Sequence, residues 1–301
     1  MSNYSLELKD SQKSSHSYYQ IRFNAMASPC EVLIKTQDKE LSNILAKLTI
    51  SEVNRIECKY SRYNADSLLA KINTSNGNPV DIDIETYQLF NYAKELFNLS
   101  EGLFDITSGI LGKLWNFQNQ TSIPDNSIIK DTLSFIGFDR IQYTEKSISL
   151  PKGMQIDFGG IGKEYAVDQV AKILNNRCKE SSSNFLINLG GDLFAKDYKS
   201  EIDNSPWKIG LENSKSGYIN LLNGAVATSG TSQRSFTQNG KVYSHLLNPK
   251  TGWPIENPPK SVTCFAETCV LAGTFSSLAM LQGVNAESFL KSEEIEHILV
   301  R

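Results

Sequence analysis

Four stretches of the chain combine residue types that could do chemistry. The first is Gln155-Ile156-Asp157-Phe158-Gly159-Gly160-Ile161-Gly162-Lys163-Glu164. It reads as a short strand closed by an acid, then glycines, then the start of a helix. Glycines let backbone N–H and C=O groups approach a ligand, and a helix N-terminus favours an anion. Lys163 could neutralise a phosphate. The spacing fits neither GxGxxG nor a Walker loop, so a helix entry without a ligand is the competing reading. The second stretch, Asn188-Leu189-Gly190-Gly191-Asp192, ends an apolar run in a tight turn, with or without a further role for its acid.

The third runs from Ala227 through Thr228, Ser229 and Gly230 to Arg234, then from Ser244 and His245 to Gly252. It is dense in hydroxyls around one central histidine. Ser229 and His245 could form a nucleophile–base pair, but there is no GxSxG elbow. The fourth, Phe104-Asp105-Ile106-Thr107, could simply cap a following helix through Asp105 or Thr107.

These segments need a frame. Glu31–Lys35 alternates like a strand, and Leu41–Lys71 carries apolar residues at helical spacing, with Ser67 starting a second short helix. Ile84–Leu99 is a third amphipathic helix, stopped by Ser100-Glu101-Gly102. Further strands are expected at Asn184–Leu189, Trp207–Leu211, Tyr218–Leu222, Val242–Leu247 and Val262–Glu267. Val270–Leu281 is apolar enough for a buried helix. Helices and strands mix without a regular βαβ rhythm, which predicts one α+β domain. Residues 1–18 are polar and are expected to be a flexible leader before a domain spanning 19–301.

Composition narrows the function. Thirty Lys+Arg against 33 Asp+Glu in 301 residues argue against a broad nucleic-acid face. No apolar run reaches the roughly 20 residues of a membrane span, and no signal-peptide pattern opens the chain. Five scattered cysteines and only three histidines (His16, His245 and His297) disfavour a Cys/His zinc site and suggest reduced thiols in the cytoplasm.

Taken in order, AMASPCEVLI, YSRYNADSLLAKIN, FDITSGIL, IDFGGIGKEYAVD, INLGGDLFA, AVATSG, SHLLNPKTGWP and SVTCFAETCVLAGTFSSLAMLQG resemble the ApbE family, the FAD:protein FMN transferases. The likeness runs from about Phe23 to about Gly283. It implies an ApbE-like, T-fold-related α+β domain that binds FAD and Mg²⁺. It also implies transfer of FMN from FAD to a Thr or Ser hydroxyl of a target flavoprotein, with release of AMP. Carried over position by position, Met26, Tyr63, Phe104, Asp105, Ile106, Asp157, Lys163, Thr228, Ser229, Gly230, His245 and Leu246 fall at FAD positions. The same carry-over makes His245 the expected proton acceptor, and its ordinary pKa near 6.5 suits that role.

Gly160, Gly273 and Ser277 fall at the metal positions, Gly160 through its backbone carbonyl. Here the chain departs from the family. Gly273 stands where relatives carry a ligating Asp, and Ser277 stands where they carry Thr. Glu267 and Asp192 are possible substitutes, and a Gly273→Asp replacement is expected to raise Mg²⁺-dependent activity. Glu164 replaces a common Gly after Lys163, and Asn248 replaces a common Asp. The missing acid keeps open a non-catalytic FAD-binding protein and an FAD pyrophosphatase beside the transferase. A Ser–His hydrolase stands outside the resemblance.

Overall fold

The structure is a computed structural model. It describes residues 4–10, 17–115, 117, 122–198, 205–211, 217–231, 235–238 and 240–301. His16 and residues 232–234 of the third stretch lie outside them.

In chain order the elements begin with β1 (Ser5–Asp10), β2 (Ser17–Ala25) and β3 (Ser28–Ile34). Helices α1 (Lys39–Tyr60) and α2 (Leu68–Asn73), strand β4 (Val80–Asp81) and helix α3 (Ile84–Leu99) follow. A 3₁₀ segment at Ile106–Lys113 leads to α4 (Asn126–Leu133), β5 (Gln142–Tyr143), β6 (Ser147–Ser149) and α5 (Gly162–Cys178). Then come β7 (Phe185–Leu189), β8 (Asp192–Lys196), β9 (Trp207–Gly210), β10 (Tyr218–Leu221) and β11 (Gly224–Gly230). The chain closes with β12 (Ser235–Gln238), β13 (Lys241–Ser244), β14 (Ser261–Ala266), α6 (Cys269–Leu281), α7 (Ala286–Ser292) and β15 (His297–Val300).

One antiparallel sheet organises the molecule, in the order β1-β2-β3-β7-β8-β11-β14-β15. Helices α1, α5 and α6 cover one face. Leu45, Val53 and Ile56 of α1 and Val167, Val170 and Leu174 of α5 are fully buried against Ile21, Val32 and Ile187 of the sheet. Burying each such side chain contributes about 1.5–3 kcal/mol. On the other face, the β9–β10 hairpin packs Trp207, Ile209 and Leu221 on Leu186, Leu193 and Val226. Strand β7 is therefore apolar on both faces, which explains its continuous NFLINL run.

Three expectations need correction. Residues 5–10 are not a loose leader. Ser5-Leu6-Glu7-Leu8-Lys9-Asp10 alternates, and it pairs antiparallel with β2 over Ser17–Arg22. Gln155–Asp157 is not a strand, because no ladder forms there. Instead Asn73 clamps Ile156, its amide donating to the Ile156 carbonyl (2.9 Å) and its side-chain oxygen accepting from Ile156 N (2.7 Å). The helix expected from Leu41 breaks after Tyr60, where Ser61 turns extended. Ser67 then caps α2 by accepting from Ala70 N at 2.9 Å. The break matters, since it carries Arg62 and Tyr63.

Candidate active site

Helix α5 begins at Gly162, immediately after Phe158-Gly159-Gly160-Ile161. Ile161 N and Gly162 N both donate to the Phe158 carbonyl, closing the turn. No side chain caps this helix end. Lys163 and Glu164 in its first turn point to the layer between the sheet and α6. Lys163 Nζ donates to Asp192 Oδ2 at 2.5 Å. Asp192 opens β8 behind the Gly190-Gly191 turn, where both glycines take positive φ. A Cβ on Gly190 would fall 2.7 Å from that of Ser28, so the turn packs directly on the β2–β3 connection.

Glu164 is the unusual member. It is 7% exposed, and its Oε2 has no hydrogen-bond partner. The residue faces Gly273 of α6. A Cβ on Gly273 would lie 2.5 Å from Glu164 Cγ and 2.8 Å from its Oε1. Burial, reinforced by the nearby Asp192 charge, pushes the Glu164 carboxyl up to about 8. Burial raises Asp192 as well, against the pull of Lys163. The lysine's ammonium is disfavoured by burial, but Asp192 and Glu164 outweigh this and hold it above its ordinary value. Two buried acids thus flank one lysine, which bonds directly to Asp192. Asp168, the next acid along α5, is committed elsewhere. Its two oxygens accept from Cys269 N (2.8 Å) and Val270 N (2.9 Å), capping α6.

Hydroxyls also gather on β11 and its neighbours. Thr228 on β11 faces Thr263 on β14, with their side-chain oxygens 2.8 Å apart. Ser229 Oγ sits 2.9 Å from Ser276 Oγ and 3.2 Å from Ser277 Oγ. Ser276 in turn donates to the Gly273 carbonyl at 3.0 Å. Of the expected positions, Ser229 and Ser277 therefore meet between β11 and α6, beside Gly273, whereas Thr228 pairs with Thr263 on the other face of the sheet. Ser229 is tied to α6 rather than presented as the nucleophile of a hydrolase.

A second group gathers around Asp157. Its Oδ2 accepts from Arg62 at 2.7 Å, and its backbone N donates to the Ile106 carbonyl. Arg62 also donates to the Tyr63 hydroxyl (2.7 Å) and lies 4.9 Å from that ring's centre. Tyr63 is 83% exposed, an aromatic surface held in place by an ion pair. Phe104 is buried beside Gly160, where a Cβ would come within 2.9 Å of its ring.

Asp105 is mainly architectural. Its Oδ1 accepts from Thr107 N and Thr107 Oγ1, and its Oδ2 accepts from Phe138 N. Burial raises its carboxyl, and those bonds oppose the rise. Met26 turns the β2–β3 connection at φ 51° and donates its N–H to Glu57 at 2.9 Å.

His245 follows the end of β13, half-buried. Leu246 beside it packs toward Val262 and Phe275, while Leu247 packs toward Leu111 and Trp115. Sequence reasoning overlooked Arg62, Thr263 and Ser276. It noted Glu164 and Gly273 only as separate departures; their joint occurrence was the available signal. Glu267 is not the acid beside Gly273; the side chain that occupies that space is Glu164. An Asp at 273 would meet the Glu164 side chain, which would have to swing aside.

Among the described residues, no three His, Cys, Asp or Glu side chains form a metal cluster. A cation here would need backbone, hydroxyl and substrate oxygens as well. A groove of about 560 Å³ between Arg22, Cys30, Glu31 and Asn188 borders the Gly190-Gly191 turn.

The architecture is a single α+β domain whose polar site sits between an antiparallel sheet and the ends of two helices. Its sequence matches the ApbE family over residues 20–299, and the chain belongs to that family. It is 27% identical to an FAD:protein FMN transferase of Klebsiella pneumoniae, covering 91% of this chain and 86% of the relative. It is 29% identical to another protein of that name from Vibrio cholerae, over 83% and 74% of the two chains. The solved ApbE protein of Thermotoga maritima superposes with a TM-score of 0.80 at 27% identity, covering 94% of each chain. The Pseudomonas stutzeri flavinyl transferase ApbE shares the fold, with a TM-score of 0.79 at 23% identity over 100% and 92%.

Proposed function

We propose that this protein is an FAD:protein FMN transferase dependent on a divalent cation such as Mg²⁺. The observation that carries the reading is its likeness to relatives of that name along most of both chains. In the reaction, a Thr or Ser hydroxyl of a target flavoprotein attacks the flavin-side phosphorus of FAD. A new P–O bond forms to that oxygen, the pyrophosphate P–O bond breaks, and AMP leaves. Such a step needs alignment, removal of the hydroxyl proton and compensation of the pyrophosphate charge.

This chain's residues are suited to each part. His245, half-buried and followed by two packed leucines, takes the proton from the incoming hydroxyl. Tyr63, braced by Arg62 and Asp157, offers an aromatic face and polar edge to one end of FAD. Thr228, Ser229 and Gly230 present hydroxyl and backbone groups from β11. Lys163 supplies a fixed positive charge next to the uncapped start of α5, which favours anions.

The cation would be held by oxygen donors alone, which suits a hard ion such as Mg²⁺. The Gly160 carbonyl and Ser277 hydroxyl are two candidates, and the orphaned Glu164 oxygen supports the fit. When bound, the ion supplies Lewis-acid compensation of phosphate charge.

No helix among the described residues is long and apolar enough to cross a membrane. A cytoplasmic, reducing setting is part of the proposal, supported by five unpaired cysteines.

The test is one incubation with FAD, Mg²⁺ and a flavoprotein domain carrying a Thr acceptor. Flavin mass on the acceptor with matching AMP is the expected result. AMP with free FMN would replace the transferase by a pyrophosphatase, and bound FAD without AMP would leave a binding protein. His245→Asn should lose transfer while retaining FAD affinity; full activity in that variant would overturn the histidine's role.

A further inference from the structure

We infer that the acidic cation ligand of this protein has moved between helices, so that Glu164 of α5 supplies the carboxylate that α6 lacks at Gly273. The inference rests on the cation-dependent reading above and concerns which residue serves it. Three independent observations converge.

The first is occupancy. The volume that any side chain on Gly273 would enter is filled by Glu164, at 2.5 Å to Cγ and 2.8 Å to Oε1. The two positions cannot both carry large side chains in their present places. An acid at 164 and a glycine at 273 are a matched pair, just as a glycine at 164 and an acid at 273 would be.

The second is an unmet need. Glu164 is 7% exposed, yet its Oε2 has no partner. Leaving a buried polar atom unsatisfied costs about 1–3 kcal/mol, and more for a charge. Lys163 does not cure this, since its ammonium donates to Asp192. Asp168, on the same helix, shows the alternative: both its oxygens are consumed by backbone N–H groups.

The third is placement. Gly273 and Ser277 stand four residues apart on α6, so they share a face. A carboxylate lodged against Gly273 therefore lies one helical turn from the Ser277 hydroxyl. The Gly160 carbonyl is in the turn that feeds the helix carrying Glu164. Carboxylate, hydroxyl and carbonyl oxygens are the donor types a hard divalent cation takes, completed by phosphate oxygens and water.

The experiment is Mn²⁺ titration of the purified full chain, read by the electron paramagnetic resonance of free Mn²⁺, with and without FAD. Glu164→Gln keeps size and should weaken Mn²⁺ binding by roughly 10- to 100-fold. Gly273→Asp alone should also bind worse than wild type and melt lower, because its side chain meets Glu164. The exchange variant, Glu164→Gly with Gly273→Asp, should recover binding to within about threefold of wild type, the scatter expected for such contributions.

Equal Mn²⁺ affinity of wild type and Glu164→Gln overturns the inference and makes Glu164 a buried neutral acid. An exchange variant with wild-type melting but no recovered affinity also overturns it. Should Glu164→Gln fold poorly, Glu164→Gly alone provides the same comparison with the exchange variant. A wild type that takes up no Mn²⁺ in either condition removes the cation reading itself, which distinguishes that failure from a wrong choice of ligand.

Discussion

Two glutamates in this molecule begin from the same chemistry and end at opposite extremes. Glu85, at the start of α3, accepts from Arg55 at 2.8 and 2.6 Å, from Lys59 at 2.5 Å and from the Tyr165 hydroxyl at 2.7 Å. Led by the Arg55 hydrogen bonds, these partners outweigh partial burial and hold its carboxyl at about 2. Glu164 lies one residue before Tyr165, but successive residues on a helix point about 100° apart. Tyr165 reaches the saturated network, whereas Glu164 enters the pocket with an oxygen unmet and its carboxyl pushed up to about 8. Saturation marks a charge whose role is structural. A buried acid left with an unmet oxygen is a standing cost, and such perturbed groups cluster at functional sites.

The contrast can be broken in graded steps. Lys163→Met should have the largest effect, because it strips the pocket of its cation and leaves Asp192 buried without a counter-charge. Breaking a buried pair costs about 3–5 kcal/mol. The lower end is expected, since the Lys163 side chain is 32% exposed. Urea unfolding at pH 7 measures it, and a loss below that of the Arg55 variant would reverse the ranking of the two regions.

Arg55→Met should cost about 1 kcal/mol at pH 7, because the pair is partly exposed and Lys59 and Tyr165 still serve Glu85. The sign of its pH dependence follows from the depressed carboxyl. Glu85 contributes its full stability above its ordinary value of 4.5 and loses it as pH falls from there through about 2. The gap between wild type and Arg55→Met should therefore narrow over that interval. A gap that widened on acidification would place the charge–charge contribution elsewhere.

Tyr165→Phe is the smallest step. It removes one donor of several from Glu85 and should cost about 0.5–1.5 kcal/mol, toward the low end. A larger loss would mean that the hydroxyl organises the network rather than joining it.

Local patterns were readable in the sequence. Helix α3 spans Ile84–Leu99 as the periodicity predicts, with Asp83 capping it through Thr86 N. Helix α6 likewise begins within a residue of its expected start. Segments governed by tertiary pairing were harder to read. Residues 5–10 look like a polar leader until β2 supplies a partner, and Gln155–Asp157 looks like a strand until Asn73 supplies a different clamp. Of the candidate site, the Ser229 and Ser277 hydroxyls and the Lys163 start of α5 were expected by resemblance. The pairing of Glu164 with Gly273 was not, because spacing along the chain does not reveal which residues of two distant helices share one volume. Arg62 was overlooked for a related reason: its partner Asp157 lies on another loop.

The sheet order has a consequence for synthesis. Strand β3 finds its second neighbour only when β7 arrives, Cys30 pairing with Leu189. Strand β11 must await β14. Such long-range pairing is slow, because loop closure must precede the contacts that stabilise it. A nascent chain halted before Cys269 already contains Lys163, Glu164 and Asp192, but it has no α6 to enclose them. Flavin chemistry must therefore wait until α6 has left the ribosome, and a product truncated before it would carry the acids without the active centre.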